Sequence, residues 1–290
     1  MRWGRIYFGV QALAGTAWWV LVFAVPWVRA STLGSLNPVF VAALDIPLFV
    51  VASAVAAAGV RAAAVVASGW TALVAAALAV YATVTAEAAW GVLLMTAAAG
   101  ASAVALALLL FGRVPTEWIL FGPFAIREAR PMRYLPVTIV QMLLFWGFFL
   151  GVVPLAISWA EQRWGLRIDA PTWGLGVVVF TLASALGVWS AITMSTVGEG
   201  TPLPMATAKR LVVAGPYRWV RNPMAVAGIV QGVAVGLILS SWLVVVYALA
   251  GSLLWNYAVR PHEEADLERR FGDTYREYRD RVRCWVPTIP

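Results

Sequence analysis

The chain has 290 residues, of which 62% are hydrophobic and 12% are charged, and its formal net charge is +7. A soluble domain carries roughly 25% charged residues, so this chain has too few charges to cover a surface in water. A single cysteine and a single histidine exclude a disulfide framework and a multi-cysteine or His-rich metal site, and we expect no metal. The positive residues flank apolar segments, which favours membrane lipids over nucleic acid as their partners.

Long segments without a charged residue dominate the chain. Asp, Glu, Lys and Arg are absent from residues 6–28, 62–86, 88–112, 134–160, 170–198 and 222–259. A helix needs about 20 apolar residues to cross a hydrocarbon core ~30 Å thick, and each of these segments reaches that length. The sequence therefore predicts an all-α fold, a polytopic transmembrane helical bundle.

Eight spans account for these segments and for the apolar run between the first two. Six single spans are predicted over residues 6–28, 38–60, 62–84, 88–112, 134–159 and 172–194. The segment 222–259 would form about 57 Å of helix, so it should be a hairpin of two spans that turns near Ser240 and Ser241. The first apolar segment is too long for an ordinary signal peptide, and we expect it to be retained as a helix.

The arginines predict the orientation of the spans. With the N-terminus in the cytoplasm, the outer loops contain only Arg29, Arg163 and Arg167, and the other 18 of the 21 Lys and Arg residues lie inside. This asymmetry is the positive-inside pattern. We expect a multi-pass protein of the bacterial inner membrane with both termini in the cytoplasm.

Asp45 is the one acidic residue inside a predicted span, two residues before Pro47. An ionisable group within a membrane span is a candidate for function by default. The alternative is that Asp45 faces a water-filled or interfacial edge. No other residue of the first four spans suggests chemistry.

A polar segment rich in Gly and Pro, residues 198–223, precedes the hairpin. Asn222 followed by Pro223 is typical of an N-cap and the first residue of a helix. A helix N-terminus attracts an anion such as a carboxylate, and Arg218 and Arg221 add positive charge beside it. The same residues also fit a plain helix cap with arginines that anchor it to lipid phosphates, and the local pattern does not separate the two.

Glu263 and Glu264 directly follow the hairpin. Adjacent carboxylates at an interface cost free energy unless cations compensate them. Because Arg218 and Arg221 open the hairpin that these glutamates close, we expect the four side chains to lie close together. Beyond them we predict two short amphipathic helices on the cytoplasmic surface, the first ending at Gly272. Their apolar stripe comprises Leu267, Phe271, Tyr275, Tyr278 and Val282.

Together these residues resemble the isoprenylcysteine carboxyl methyltransferase and phospholipid methyltransferase family of integral membrane enzymes. The resemblance covers about a third of the chain, residues 198–287, and agrees in order and spacing at both ends of the hairpin. It rests on Gly215, Tyr217, Arg218, Arg221, Asn222 and Pro223, followed by Glu263, Glu264, Phe271, Gly272, Tyr275 and Tyr278. The Gly200-Thr201-Pro202 element is similar to a subgroup of the same family.

The resemblance implies S-adenosylmethionine as the methyl donor and a lipophilic acceptor in the membrane. We expect Arg221, Glu264 and His262 to be the catalytic residues. The resemblance also implies a cofactor site of Gly215, Tyr217, Arg218, Arg221, Asn222, Pro223, Glu263 and Glu264. The donor's carboxylate suits arginines and helix N–H groups, and its ammonium suits Glu263 or Glu264. His262 would be a general base if the acceptor needs deprotonation, or else only an interfacial residue.

Ala225 departs from the family pattern, because a tyrosine usually stands at this position. The change could alter affinity, alter the choice of substrate or mark a lost activity. Two alternatives therefore stay open: a membrane transporter or scaffold without catalysis, and a reductase of the sterol type that uses NADPH. We divide the chain into residues 1–133, four spans and a cytoplasmic loop of unknown role, and residues 134–290, the methyltransferase-like domain.

Overall fold

A computed structural model of the chain describes residues 2–119, 134–199 and 208–288, and every regular element in these ranges is a helix. Twelve α-helices are described: α1 Arg2–Ala24, α2 Pro26–Leu33, α3 Pro38–Asp45, α4 Ala52–Ala57, α5 Arg61–Thr85, α6 Ala89–Phe111, α7 Tyr134–Trp146, α8 Val153–Arg163, α9 Trp173–Val197, α10 Pro223–Ile238, α11 Trp242–Leu254 and α12 Arg260–Arg281. Turns of π-helix join α3 to α4, α7 to α8 and α11 to α12.

The prediction of an all-α polytopic bundle is confirmed. Within the described ranges, seven helices are long and apolar enough to cross a membrane. The predicted eighth span is α10, whose 16 residues extend over only about 24 Å. The turn of the hairpin lies at Leu239–Ser241, as predicted, and the Ser241 hydroxyl accepts a hydrogen bond from Val244 N at 3.2 Å to cap α11.

Two predicted boundaries were wrong. The first span was predicted to run to residue 28, but α1 ends at Ala24 because Pro26 forces Val25 out of the helical region and starts α2. The last span was predicted to end before separate surface helices. Instead, α11 continues through the π-helical turn directly into α12, so no gap separates the span from the helix that follows it. The predicted end of that helix at Gly272 is confirmed, because Gly272 has a φ of +53° and lies outside the helical region.

The chain divides into two compact units. The N-terminal unit contains Met1–Pro115 and Gln162–Leu166, and the C-terminal unit contains Thr116–Glu161 and Arg167–Pro290. The boundary that we predicted at residue 133 lies outside the described residues, as do Arg127, Arg130 and Arg133 of the predicted cytoplasmic loop. The division of function between residues 1–133 and 134–290 stays a prediction.

Small residues let the helices of the N-terminal unit approach closely. A Cβ atom at Gly4 would lie 2.6 Å from the Ala105 carbonyl oxygen, and one at Gly91 would lie still closer to the Thr32 backbone. A polar network runs between the helices, with Gln11 donating to the Ser53 hydroxyl at 3.1 Å. Such close packing and internal hydrogen bonds hold helices together in lipid, where burial from water gives no driving force.

Asp45 lies inside this unit at 5% exposure, not at a water-filled edge. Its two carboxylate oxygens each accept a hydrogen bond from an indole, Trp19 Nε1 at 2.9 Å and Trp70 Nε1 at 2.7 Å. The side chain therefore joins three helices, α1, α3 and α5. Asp45 is the crosslink at the centre of the N-terminal unit.

We expect the substitution Asp45→Ala to destabilise the N-terminal unit, because it leaves two buried indole N–H groups without acceptors. Each unpaired donor costs about 1–3 kcal/mol, which thermal unfolding in detergent would detect as a lower midpoint. Asp169→Ala is the matched control, because the Asp169 side chain is 90% exposed. Equal midpoints for the two variants would contradict the crosslinking role.

Small residues also pack the helices of the C-terminal unit. Gly232 of α10 lies against Ala248 of α11, where a Cβ atom would meet the alanine methyl at 2.8 Å. Gln231 of α10 donates to the Ser184 hydroxyl of α9 at 2.9 Å. Helices α9, α10 and α11 therefore form one tightly packed group, and the ends of these helices position the candidate site.

Candidate active site

The N-terminus of α10 has the cap that the sequence predicts. Asn222 Oδ1 accepts a hydrogen bond from Ala225 N at 3.2 Å, and Pro223 is the first residue of the helix. Proline at this position removes one N–H that would otherwise lack a partner. Because the N–H groups of Ala225 and Val226 are bonded to Asn222, Met224 N is the one N–H left in the described first turn, and the helix dipole gives this end of α10 a partial positive charge.

The segment before α10 is a short 3₁₀ turn, Gly215–Arg218, fixed by contacts on both sides. The Tyr217 side chain is buried, and the Tyr217 carbonyl oxygen accepts a hydrogen bond from the Tyr278 hydroxyl at 2.6 Å. Gly215 has a φ of +53° and lies directly against α9. These contacts set the direction in which the chain enters the helix.

Arg221 and Glu264 form an ion pair between the two ends of the helical hairpin. Arg221 Nη1 lies 2.8 Å from Glu264 Oε1, and the two side chains are 14% and 25% exposed. The same nitrogen lies 3.4 Å from the Tyr275 hydroxyl. Burial and then the charge of Glu264 raise the pKa of Tyr275 to about 12, so this hydroxyl keeps its proton. Partial removal from water strengthens such a pair relative to one at the surface.

Glu263 differs from its neighbour because it makes no ion pair or hydrogen bond with any described residue. Its side chain is half-buried. Burial and then the negative charge of Glu264 raise the pKa of Glu263 to about 8. At pH 7 this carboxyl group is mostly protonated, and a cation placed beside it would favour the ionised form.

The predicted cluster of two arginines and two glutamates is only partly assembled. Arg218 is exposed and pairs with no described residue, so the structure does not bring it to the glutamates. His262 Nε2 lies 2.9 Å from the Thr116 hydroxyl, where the pair joins α12 to the short 3₁₀ helix Thr116–Ile119. The Gly200-Thr201-Pro202 element lies outside the described residues.

The chain after α12 folds back onto the candidate site, which sequence analysis did not anticipate. Arg221 N donates to Arg283 O at 3.0 Å, and Thr288 N donates to Trp219 O at 2.9 Å. The Trp285 indole donates to Asn256 Oδ1 at 2.9 Å. The C-terminal segment, residues 282–288, therefore closes one side of the Arg221–Glu264 pair.

Sequence analysis did not predict two further residues near the Arg221–Glu264 pair, Arg260 and Cys284. The Arg260 guanidinium is hydrogen-bonded to the buried Cys284 thiol, and it interacts electrostatically with Glu264. One sequence signal could have identified Arg260: it lies four residues before Glu264 on a helix, which places both on one face. No sequence signal identified Cys284, because its position depends on the fold-back of the C-terminal segment.

A comparison with known families identifies the domain that contains the helical hairpin and the Arg221–Glu264 pair. Residues 172–274 match the phospholipid methyltransferase family, and this range contains the cap of α10, the whole hairpin and both glutamates. The C-terminal part of the chain belongs to this family of integral membrane methyltransferases. No curated protein and no solved structure matches the chain.

The methyltransferase domain offers groups of opposite charge to a ligand within a small region. Arg221 and the N-terminus of α10 attract an anion, and Glu263 can receive a cation. Arg221 Nε is buried and has no hydrogen-bond partner among the described residues. A buried donor without a partner is costly, so this position favours an acceptor placed beside Arg221 Nε.

We expect the substitution Gly215→Ala to destabilise the methyltransferase domain by about 1–3 kcal/mol. An added Cβ atom would lie 2.7 Å from Thr193 Oγ1, and that hydroxyl is itself held by a hydrogen bond to the Trp189 carbonyl. The positive φ adds strain for any residue with a side chain. Thermal unfolding of the purified protein would measure the change.

Gly228→Ala provides the control for this prediction, because no atom lies within 4 Å of the added methyl group. Gly228 is inside α10, where alanine is favoured over glycine by about 0.5–1 kcal/mol. We therefore expect this variant to be as stable as the wild-type protein or slightly more stable. If Gly215→Ala behaves like Gly228→Ala, the close contact with α9 is not what fixes the turn.

Proposed function

We propose that the methyltransferase domain uses S-adenosylmethionine to methylate a lipophilic acceptor in the membrane. The observation that carries this proposal is the asymmetry of the two glutamates. Glu264 is neutralised by Arg221 at 2.8 Å, whereas Glu263 has no cationic partner among the described residues. The free acid and the buried Arg221 Nε together fit a zwitterion, which is the form of the donor's amino-acid moiety.

Each charged group of the site matches the group of opposite charge on the donor's amino-acid moiety. Glu263 would receive the ammonium, and Arg221 together with the positive end of the α10 dipole would receive the carboxylate. Asn222 and Pro223 would act by fixing the start of α10. Gly215 and Tyr217 would act by shaping the turn before it, since Tyr217 contributes a carbonyl oxygen to Tyr278.

When bound, S-adenosylmethionine supplies a methyl group on a sulfonium, which passes to a lone pair of the acceptor and leaves a neutral thioether. The residues of this chain contribute binding, orientation and exclusion of water. The Arg221–Glu264 pair holds the ends of the hairpin together, so the binding groups do not have to be ordered during the reaction. His262, held by Thr116, would serve as a base only for an acceptor that must lose a proton.

An apolar groove supports a lipophilic acceptor. It lies between α9 and α10, has a volume of about 270 Å³ and is lined by Val179, Leu182, Ala183, Leu186, Ala227 and Val230. Ala227 is four residues from Pro223, about 6 Å along the helix. A hydrocarbon chain in the groove would therefore place a polar head group near the N-terminus of α10.

We further propose that both termini face the cytoplasm of a bacterial cell. The positive-inside distribution of the 21 Lys and Arg residues supports this orientation. It places Asn222, Glu263 and Glu264 on the cytoplasmic side, where S-adenosylmethionine is made and used. It also makes the site accessible to a water-soluble donor and a membrane-soluble acceptor at the same time.

Calorimetric binding to detergent-solubilised protein tests the proposal. We expect S-adenosylmethionine and S-adenosylhomocysteine to bind the wild-type protein, and the variants Arg221→Gln and Glu263→Gln to lose at least about tenfold in affinity. The matched controls are Arg281→Gln and Glu268→Gln, on the same long helix as Glu263 but engaged in other contacts. Both controls should bind like the wild-type protein.

Three outcomes would count against the proposal. Binding of NADPH without binding of either adenosyl ligand would favour a reductase. Binding of none of the three would favour a transporter or scaffold. Equal losses in the control variants would show that the affinity reflects general stability and not the site. If the donor binds as expected, incorporation of labelled methyl groups into extracted lipids would identify the acceptor.

The pKa of Glu263 makes the binding of the donor depend on pH. Because this pKa is raised to about 8 in the free protein, the carboxyl group is mostly protonated at pH 7. An ammonium beside it stabilises the ionised form, so binding at pH 7 should release close to one proton. The affinity should therefore rise by about tenfold from pH 6 to pH 7 and level off near pH 8.

Calorimetry in buffers of different ionisation enthalpy would measure the released proton. The variant Glu263→Gln cannot release it, and its affinity should be independent of pH between 6 and 7. A wild-type affinity that does not change over this range would show that Glu263 is already ionised or does not contact the ammonium. Glu268→Gln should retain the pH dependence of the wild-type protein.

A further inference from the structure

Arg260 lies in the same cluster as Arg221, although it comes from a different part of the chain. It is the first residue of α12, one helical turn before Glu264. It is hydrogen-bonded to the Cys284 thiol, and its positive charge is attracted by the Glu264 carboxylate. Arg221 pairs with Glu264 at 2.8 Å and Arg260 lies four residues before Glu264 on the same helix, so the two guanidinium groups lie in one region around this carboxylate.

The charges in this region do not balance. Arg221 and Arg260 contribute two positive charges, and Glu264 contributes one negative charge. Glu263 contributes little at pH 7, because burial and the charge of Glu264 raise its pKa to about 8. The cluster therefore carries an excess of about one positive charge in a partly desolvated environment, which favours the binding of a single anion.

Two hydrogen-bond donors of this cluster also lack acceptors among the described residues. Arg221 Nε and Arg260 Nε are both buried, and neither has an acceptor within the described part of the chain. Each guanidinium already uses part of its donor set, Arg221 on Glu264 and Arg260 on Cys284. An oxyanion has enough lone pairs to accept from both of the remaining donors.

We propose that Arg260 is a second anion-binding residue of the methyl-donor site and that, together with Arg221, it receives the carboxylate of the donor's amino-acid moiety. This inference rests on the proposed use of S-adenosylmethionine and assigns one part of that ligand to two named residues. The C-terminal segment positions Arg260 through Cys284. Arg283 O, the neighbouring group, accepts from Arg221 N and so ties the same segment to Arg221.

A lipid phosphate is the other source of an oxyanion at such a site. It has the same chemistry, but it would not depend on the carboxylate of the adenosyl ligand. Three ligands separate the two sources: S-adenosylmethionine, S-adenosylhomocysteine and decarboxylated S-adenosylmethionine, which keeps the amine, the sulfonium and the adenosine but lacks the carboxylate. Binding would be measured by calorimetry in nanodiscs of phosphatidylcholine alone and in nanodiscs that also contain phosphatidylglycerol.

We expect the wild-type protein to bind the two carboxylate-bearing ligands at least about tenfold more tightly than the decarboxylated one. The variant Arg260→Gln should lose at least about tenfold in affinity for the first two and keep its affinity for the third. Arg260→Lys, which retains the charge but not the planar set of donors, should recover part of the loss. The control Arg281→Gln should leave all three affinities unchanged.

Unchanged binding of the decarboxylated ligand also shows that Arg260→Gln is folded. An equal loss for all three ligands would make Arg260 only a structural residue, and no loss would remove it from the site; either result overturns this inference alone. An effect of Arg260→Gln seen only with phosphatidylglycerol would assign the anion to lipid and would also overturn it. If the wild-type protein binds none of the three ligands, the proposed function fails and this inference fails with it.

Discussion

The ion pair between Arg221 and Glu264 is the interaction on which the candidate site depends. It joins the residue before α10 to the helix that continues from α11, so it closes the hairpin at one end, as the turn at Leu239–Ser241 closes it at the other. The pair also decides which groups remain for a ligand. It neutralises one of two adjacent carboxyl groups and occupies one edge of one guanidinium, and neither Glu263 nor Arg221 Nε has a hydrogen-bond or ion-pair partner among the residues that the structure describes. The site is therefore complementary to a molecule that carries both charges.

The membrane adds a second constraint through the length of α10. Its 16 residues extend over about 24 Å, less than a hydrocarbon core of ~30 Å. A span this short has to leave at least one of its ends near or inside the apolar region. If that end is the N-terminus of α10, Arg221 and Glu263 would lie at the boundary between water and lipid, which would suit the proposed reaction between a water-soluble donor and an acceptor in the membrane.

The sequence predicted the parts of the structure that depend on local pattern. The charge-free segments predicted the membrane spans, and the length of segment 222–259 predicted that it forms a hairpin. The Asn222-Pro223 pair predicted where α10 begins. Contacts between distant segments were not predictable in this way. Cys284 reaches Arg260 only because the C-terminal segment folds back, and Arg218 faces outward although it is one turn from Arg221. His262 was expected near the chemistry, but its hydrogen bond is to Thr116, which no motif connects with it.

Ala225 bears on whether the site can work, because tyrosine is usual at this position in the resembling family. The cap of α10 uses the backbone N–H of Ala225, at 3.2 Å from Asn222 Oδ1, and is therefore independent of the side chain. The ion pair and the free acid are also intact without a tyrosine. Within the described part of the chain, a half-buried carboxyl group without a cation and two guanidinium groups with unused donors lie in one region, and such unpaired groups cost free energy. A zwitterionic ligand would remove that cost, whereas a scaffold or transporter with no ligand at this position would leave it in place.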